Sequence, residues 1–98
     1  MINVLVHHKI HDYKQWKAEF DAAVDFRHQG GEQSCRIFHK SDDPNDLTLL
    51  FEWESLDKAQ RFMASEELRQ RMTQAGVATA PDIQYIAEMH TVRRSAAD

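Results

Sequence analysis

Between Ile10 and Asp12 the apolar residues of this chain change period, from two to about 3.6. Upstream, Ile2, Val4, Val6, His8 and Ile10 share one face, while Asn3, Leu5, His7 and Lys9 take the other. Alternation with β-branched residues predicts a strand over residues 2–10. Asp12 then opens a helix, and Gln15 three residues on predicts a capping box. Tyr13, Trp16, Phe20, Ala23, Val24 and Arg27 recur at helical spacing as an inward stripe, which Gly30-Gly31 stops. A strand that runs straight into such a helix needs a sheet for the helix to cover. That requirement narrows the fold before anything else is read.

The rest of the chain supplies the sheet. Residues 33–40 and 47–54 read as two more strands, joined by the turn-forming run Ser41-Asp42-Asp43-Pro44-Asn45-Asp46 as a hairpin with a long loop. The third strand is apolar on both faces for most of its length, which predicts cover on both sides. Ser55 caps a helix carrying Leu56, Ala59, Phe62 and Met63; Ser65 caps another carrying Leu68, Met72 and Ala75, with Glu66 and Glu67 in its first turn. Gly76 ends that helix, and a last strand is expected over 82–92. The order β-α-β-β-α-β predicts an α+β, ferredoxin-like fold with a four-stranded antiparallel sheet and helices on one face. The other face, too apolar to stay wet, predicts a homodimer joined sheet to sheet.

Ninety-eight residues, 42% of them hydrophobic, suit one domain over 1–92, with residues 93–98 as a disordered tail. A net charge of -4 and no basic cluster beyond Arg93-Arg94 exclude a nucleic-acid partner. No apolar run approaches membrane-spanning length, no signal-like segment precedes His7, and the lone Cys35 cannot form an internal disulfide. A cytoplasmic protein with a buried, inert thiol is the expectation.

Six histidines raise the question of a metal. His7 and His8 are adjacent, so in a strand they point to opposite faces and cannot share an ion. His11 reaches them only through a loop, and no helix carries paired histidines, so no metal site is expected. His8, on the apolar face near Tyr13 and Trp16, has two readings. It is a neutral general base or hydrogen-bond donor facing a ligand, or a structural histidine bonded to backbone or a tyrosine hydroxyl. Trp16, Phe20, Phe51, Trp53 and Phe62 supply a core, and the aromatic space between sheet and helices also suits a planar hydrophobic ligand. Arg27, with Arg36 or Glu52, offers polar groups within that space.

Several runs together resemble a known group. These are His8-Lys9-Ile10, then Asp12-Tyr13-x-x-Trp16-Lys17-x-x-Phe20-Asp21, then Arg27 with Gly30. Asp43-Pro44-Asn45, Phe51-Glu52-Trp53, Ala59-x-x-Phe62 with Ser65 and Leu68, Ala75-Gly76-Val77 and Pro81 continue the match in order. The pattern resembles small antibiotic biosynthesis monooxygenase-like proteins of the dimeric α+β barrel superfamily, in a branch sometimes labelled cyclase. The resemblance implies the ferredoxin-like fold closed into a dimeric barrel. Haem-degrading members carry a tryptophan and an axial histidine where this chain has Phe62 and Met72, so haem breakdown is disfavoured. Quinone-forming members use Asn, Trp, Tyr and Arg, with neither metal nor flavin, to hold a phenol whose own electrons reduce dioxygen.

The expected function is therefore to bind a small aromatic or polyketide-like molecule and, if the protein is an enzyme, to convert it by cofactor-independent oxygenation or cyclisation. His8 is the candidate catalytic base; Tyr13, Trp16, Arg27, Phe51 and Phe62 are candidate substrate-binding residues; no cofactor is called for. The alternative is a non-catalytic dimeric ligand-binding or accessory protein. A cavity of about 300 Å³ or more lined by His8 favours the first, and filled aromatic packing the second.

Overall fold

A computed structural model describes residues 1–94. Strand β1 (Ile2–Lys9) leads to helices α1 (Tyr13–Ala22) and α2 (Val24–Gly30). The hairpin β2 (Glu32–Lys40) and β3 (Asp43–Trp53) follows, then α3 (Leu56–Met63), α4 (Glu66–Gln74) and β4 (Asp82–Ile86). The sheet order is β2-β3-β1-β4 with every neighbouring pair antiparallel. This is the ferredoxin-like arrangement that the order of periods predicts. Of the expected tail, residues 95–98 lie outside the described residues.

Period two decides which side chains meet the helices. Val4, Val6 and His8 of β1 pair across the inner face with Phe51, Leu49 and Leu47 of β3. All six are buried, and Trp53, Leu47 and Val4 lose essentially all their accessible surface. The outer face carries Leu5 opposite Leu50, both half-buried, with Phe38 and Ile86 exposed toward its edges. Thr48 and Glu52 make that face of β3 more mixed than its sequence suggests.

Four local expectations need correction. The opening helix is two helices, broken at Ala23 (φ -93°, ψ 12°). There the Phe20 carbonyl accepts from the Ala23 amide at 3.3 Å and from the Arg27 guanidinium, which reaches back across the break. The capping box is half formed: Asp12 accepts from the Gln15 amide at 2.9 Å, but the Gln15 side chain donates to the Gln74 carbonyl at 3.1 Å, tying α1 to the end of α4. The hairpin loop is only Ser41-Asp42, because β3 begins at Asp43. Lys40 pairs with Asp43 and His39 with Leu47, so Pro44, Asn45 and Asp46 bulge out of the β2 ladder while Asp46 still pairs with Lys9 of β1. Proline, lacking an N–H, is tolerated in such a bulge.

The fourth correction is that β4 stops at Ile86 rather than continuing to 92. Its only neighbour is β1, and Ile86 already stands opposite Asn3, so two residues further on the partner strand has run out. The segment before β4 is instead stitched to the end of β1. His11 donates to the Gly76 carbonyl at 2.9 Å, Ala78 to Lys9 at 2.7 Å, and Ile10 bridges Val77.

Candidate functional site

His8 is the fourth inward residue of β1, which is why it lies among aliphatic and aromatic side chains rather than in water. It is 3% exposed, and neither ring nitrogen has a hydrogen-bond partner among the described residues. Burial, reinforced by neighbouring His7, lowers its pKa from 6.5 to about 4, so the ring is neutral near neutral pH. A buried polar group left unpaired costs about 1–3 kcal/mol, and nearly all such groups in folded proteins find partners. Here the unpaired ring borders a cavity.

The cavity lies between the inner face of the sheet and the helices, with a volume of about 290 Å³. Trp16, Phe20, Phe26, Phe51 and Phe62 form its aromatic walls. Trp16 and Phe20 are stacked, with centroids 4.8 Å apart and planes 22° apart, and the Trp16 ring lies 6.1 Å from that of His8. Glu19 and Arg69, which are exposed, mark its mouth. Ligand sites generally run from about 300 to 1,000 Å³, so this one suits a molecule of one or two rings.

Arg27 is the second polar group of the lining and is 7% exposed. Its Nε donates to Glu32 Oε2 at 2.6 Å, its Nη1 donates to the Phe20 carbonyl, and its Cζ lies 3.6 Å above the Phe20 ring. Glu32, 6% exposed, sits behind Arg27 and outside the lining. The pair brings a neutralised ion pair, rather than a free cation, to the wall.

Five of the six residues singled out from the sequence, His8, Trp16, Arg27, Phe51 and Phe62, border this one cavity. Tyr13 does not: it is 41% exposed, and its ring lies tilted by 30° against Trp16 with centroids 5.9 Å apart. It opens α1, before the stripe has turned toward the sheet. Arg36 and Glu52 are also misplaced by the sequence reading, because period two turns both to the outer face, where Glu52 accepts from Ser34 at 2.8 Å. Leu56 and Val24, expected inward, are exposed. Sequence reasoning missed Phe26, Arg71 and Glu32. The break at Ala23 shifts the helical phase so that Phe26 packs on Phe62 at 4.8 Å, and Arg71 lies over Phe26 at 4.6 Å. For Glu32 the available signal was an acid just past the glycine pair that ends the arginine's helix.

The other histidines and the cysteine stay out of the cavity lining. His7 faces outward and meets Asp46 at 2.6 Å, while His11 is exposed. Among the described residues no three His, Cys, Asp or Glu side chains gather where an ion would fit. Burial, with Glu32 nearby, pushes the Cys35 thiol up to about 12, well outside the range of a reactive thiolate. Among the same residues no helix is long and apolar enough to cross a membrane.

No protein-family model and no curated protein matches the sequence. Solved structures match the fold. A candidate antibiotic biosynthesis monooxygenase from Bordetella bronchiseptica is 15% identical, with 91% of this chain aligned to 97% of that one at a TM-score of 0.75. Its counterpart from Caulobacter crescentus is 16% identical over 91% and 90% of the two chains, at 0.69. SnoaB, a cofactor-independent oxygenase from Streptomyces nogalater, is 14% identical over 99% and 97%, at 0.65. The chain therefore has the fold of the antibiotic biosynthesis monooxygenase-like proteins, as the resemblance of its motifs implied.

Proposed function

We propose that the protein binds a small hydroxy-aromatic molecule in the cavity between sheet and helices and converts it by cofactor-independent oxygenation or cyclisation, working as a homodimer. The observation that carries this reading is His8, buried, neutral and unpaired at the cavity wall. A neutral imidazole offers one donor and one acceptor nitrogen; both are closed off from the free space of the cavity, so in this reading the ring turns toward a ligand hydroxyl that it then accepts from. The stacked Trp16 and Phe20 set the plane of the ring that enters. Deprotonation breaks the ligand O–H bond, places the proton on His8 and leaves the electron pair on the ring oxygen. The result is an electron-rich anion of the kind that reacts with dioxygen or attacks an internal carbonyl. Burial makes His8 a weaker base than a free imidazole, but here the imidazolium forms beside the anion it creates, so the two charges stabilise each other. SnoaB, whose fold the chain shares, is a cofactor-independent oxygenase, which supports the same reaction class for this site.

A second reading, binding without turnover, is favoured by the commitment of Arg27 to Glu32, which leaves His8 as the one lining side chain whose fully buried polar atoms lack a partner among the described residues. Calorimetric titration with hydroxy-aromatics, run beside an oxygen electrode, separates the readings. Expected are binding by the wild type, oxygen uptake with the true substrate, and at least about tenfold weaker binding by His8→Gln. The melting temperature of that variant should stay within the roughly 4–8 °C that 1 kcal/mol represents. Unchanged binding by His8→Gln, with a large melting loss, contradicts the proposal and makes His8 structural.

A further inference from the structure

We propose that Glu32 sets the charge selectivity of the cavity: by holding the charge of Arg27 neutralised, it restricts the site to uncharged aromatic ligands. The inference rests on the ligand-binding reading above. Without Glu32, Arg27 would place an unbalanced guanidinium on an otherwise apolar wall, where a carboxylate would be drawn strongly. With Glu32 at 2.6 Å from Nε, and both residues more than nine-tenths buried, that attraction is already satisfied from behind. The Phe20 carbonyl and ring hold the guanidinium on its other sides, so it is not free to swing toward a ligand. Next along the wall stands His8, neutral as well. At the rim, Arg69 and Arg71 are taken by Glu66 and Glu67 at 3.3 and 3.0 Å. An anion entering the interior thus loses its water and gains no unpaired cation, whereas a neutral phenol loses little and gains the His8 acceptor. Glu32 does not border the cavity, so it acts through Arg27 as a positioning residue. The exposed His28 ring lies 3.4 Å from the other carboxylate oxygen of Glu32, and the Cys35 thiol lies near it as well.

Naphthol and naphthoate share a ring system and differ in charge near neutral pH, so calorimetric titration of the full chain with each reads the selectivity. The wild type is expected to favour naphthol by at least about tenfold, the scale set by desolvating an unpaired carboxylate. Glu32→Gln should narrow or invert that ratio by about tenfold, as Arg27 becomes an unpaired cation, and Glu32→Asp should preserve it. Should Glu32→Gln fail to fold, the double variant Arg27→Met with Glu32→Gln removes both charges and is expected to keep the naphthol preference. Equal binding of the two probes by the wild type overturns the proposal. So does a wild-type ratio in Glu32→Gln, or naphthoate binding gained by the double variant. Naphthol binding that depends on His8 while the ratio ignores Glu32 leaves the cavity reading standing and removes only the role of Glu32. Absence of any naphthol binding removes both.

Discussion

At the scale of single residues, His8 is a buried side chain that its surroundings fail to satisfy. His8 has a folded-state pKa of about 4 against 6.5 for a free imidazole, so between those values the unfolded chain binds more protons than the folded one. Its contribution is fully present above pH 6.5 and is lost as the pH falls toward 4, a difference of up to about 3 kcal/mol. Chemical denaturation from pH 7 to 4 should therefore show wild type losing stability relative to His8→Gln, so that the two curves separate as the pH drops, since glutamine does not titrate. Parallel curves would show that His8 is not held neutral by the fold. Alternation along β1 was enough to place His8 inward from the sequence. That both nitrogens lack partners was not legible, because it depends on what α1 and α4 do not offer. Arg27 was legible as an inward cation and illegible as a neutralised one, since its partner comes from across a helix end and a glycine pair.

At the scale of elements, the sequence was read well wherever a cap or a period acted locally. Ser55 accepts from the Lys58 amide and Ser65 from the Leu68 amide, each at 3.2 Å, as their positions predicted. It was read poorly wherever tertiary structure took over a local signal. Pro44, Asn45 and Asp46 are turn formers by chemistry, but β1 pairs with that stretch on its other side and holds it extended. The Ala23 break has no glycine or proline to announce it; it is set by Arg27 competing for the Phe20 carbonyl. Where the glycine pair does end α2, the reason is double. Gly31 sits at φ 114°, and a Cβ there would come within 2.7 Å of Trp53 Nε1, the same nitrogen that donates to the Gly30 carbonyl at 2.8 Å. This close approach positions Trp53 against Phe62, at 4.8 Å, beneath the floor of the cavity.

At the scale of the whole molecule, one sheet face is buried under helices and the other is open. Leu5 and Leu50 at its centre, with Phe38 and Ile86 toward its edges, form an apolar patch that a monomer would leave in water. Beyond β4, Met89 and Val92 are more exposed still and pair with no strand among the described residues. A second copy packed sheet to sheet would cover the patch, and such a homodimer is expected to bury at least roughly 1,200 Å² in total. Sedimentation should give a dimer at micromolar concentration, and Leu50→Lys should give a monomer; a stable wild-type monomer would remove the dimer from the account.

The cavity itself is tested most directly at the two nitrogens of His8. Long-range nitrogen-15 correlation spectra of the imidazole, recorded near neutral pH as naphthol is added, report its charge and its hydrogen bonds together. The free protein is expected to show a neutral ring, with one protonated and one bare nitrogen. The bare nitrogen should shift on titration as it accepts the ligand hydroxyl. An imidazolium in the free protein, or a bare nitrogen that stays fixed while other cavity resonances move, would contradict this reading of His8.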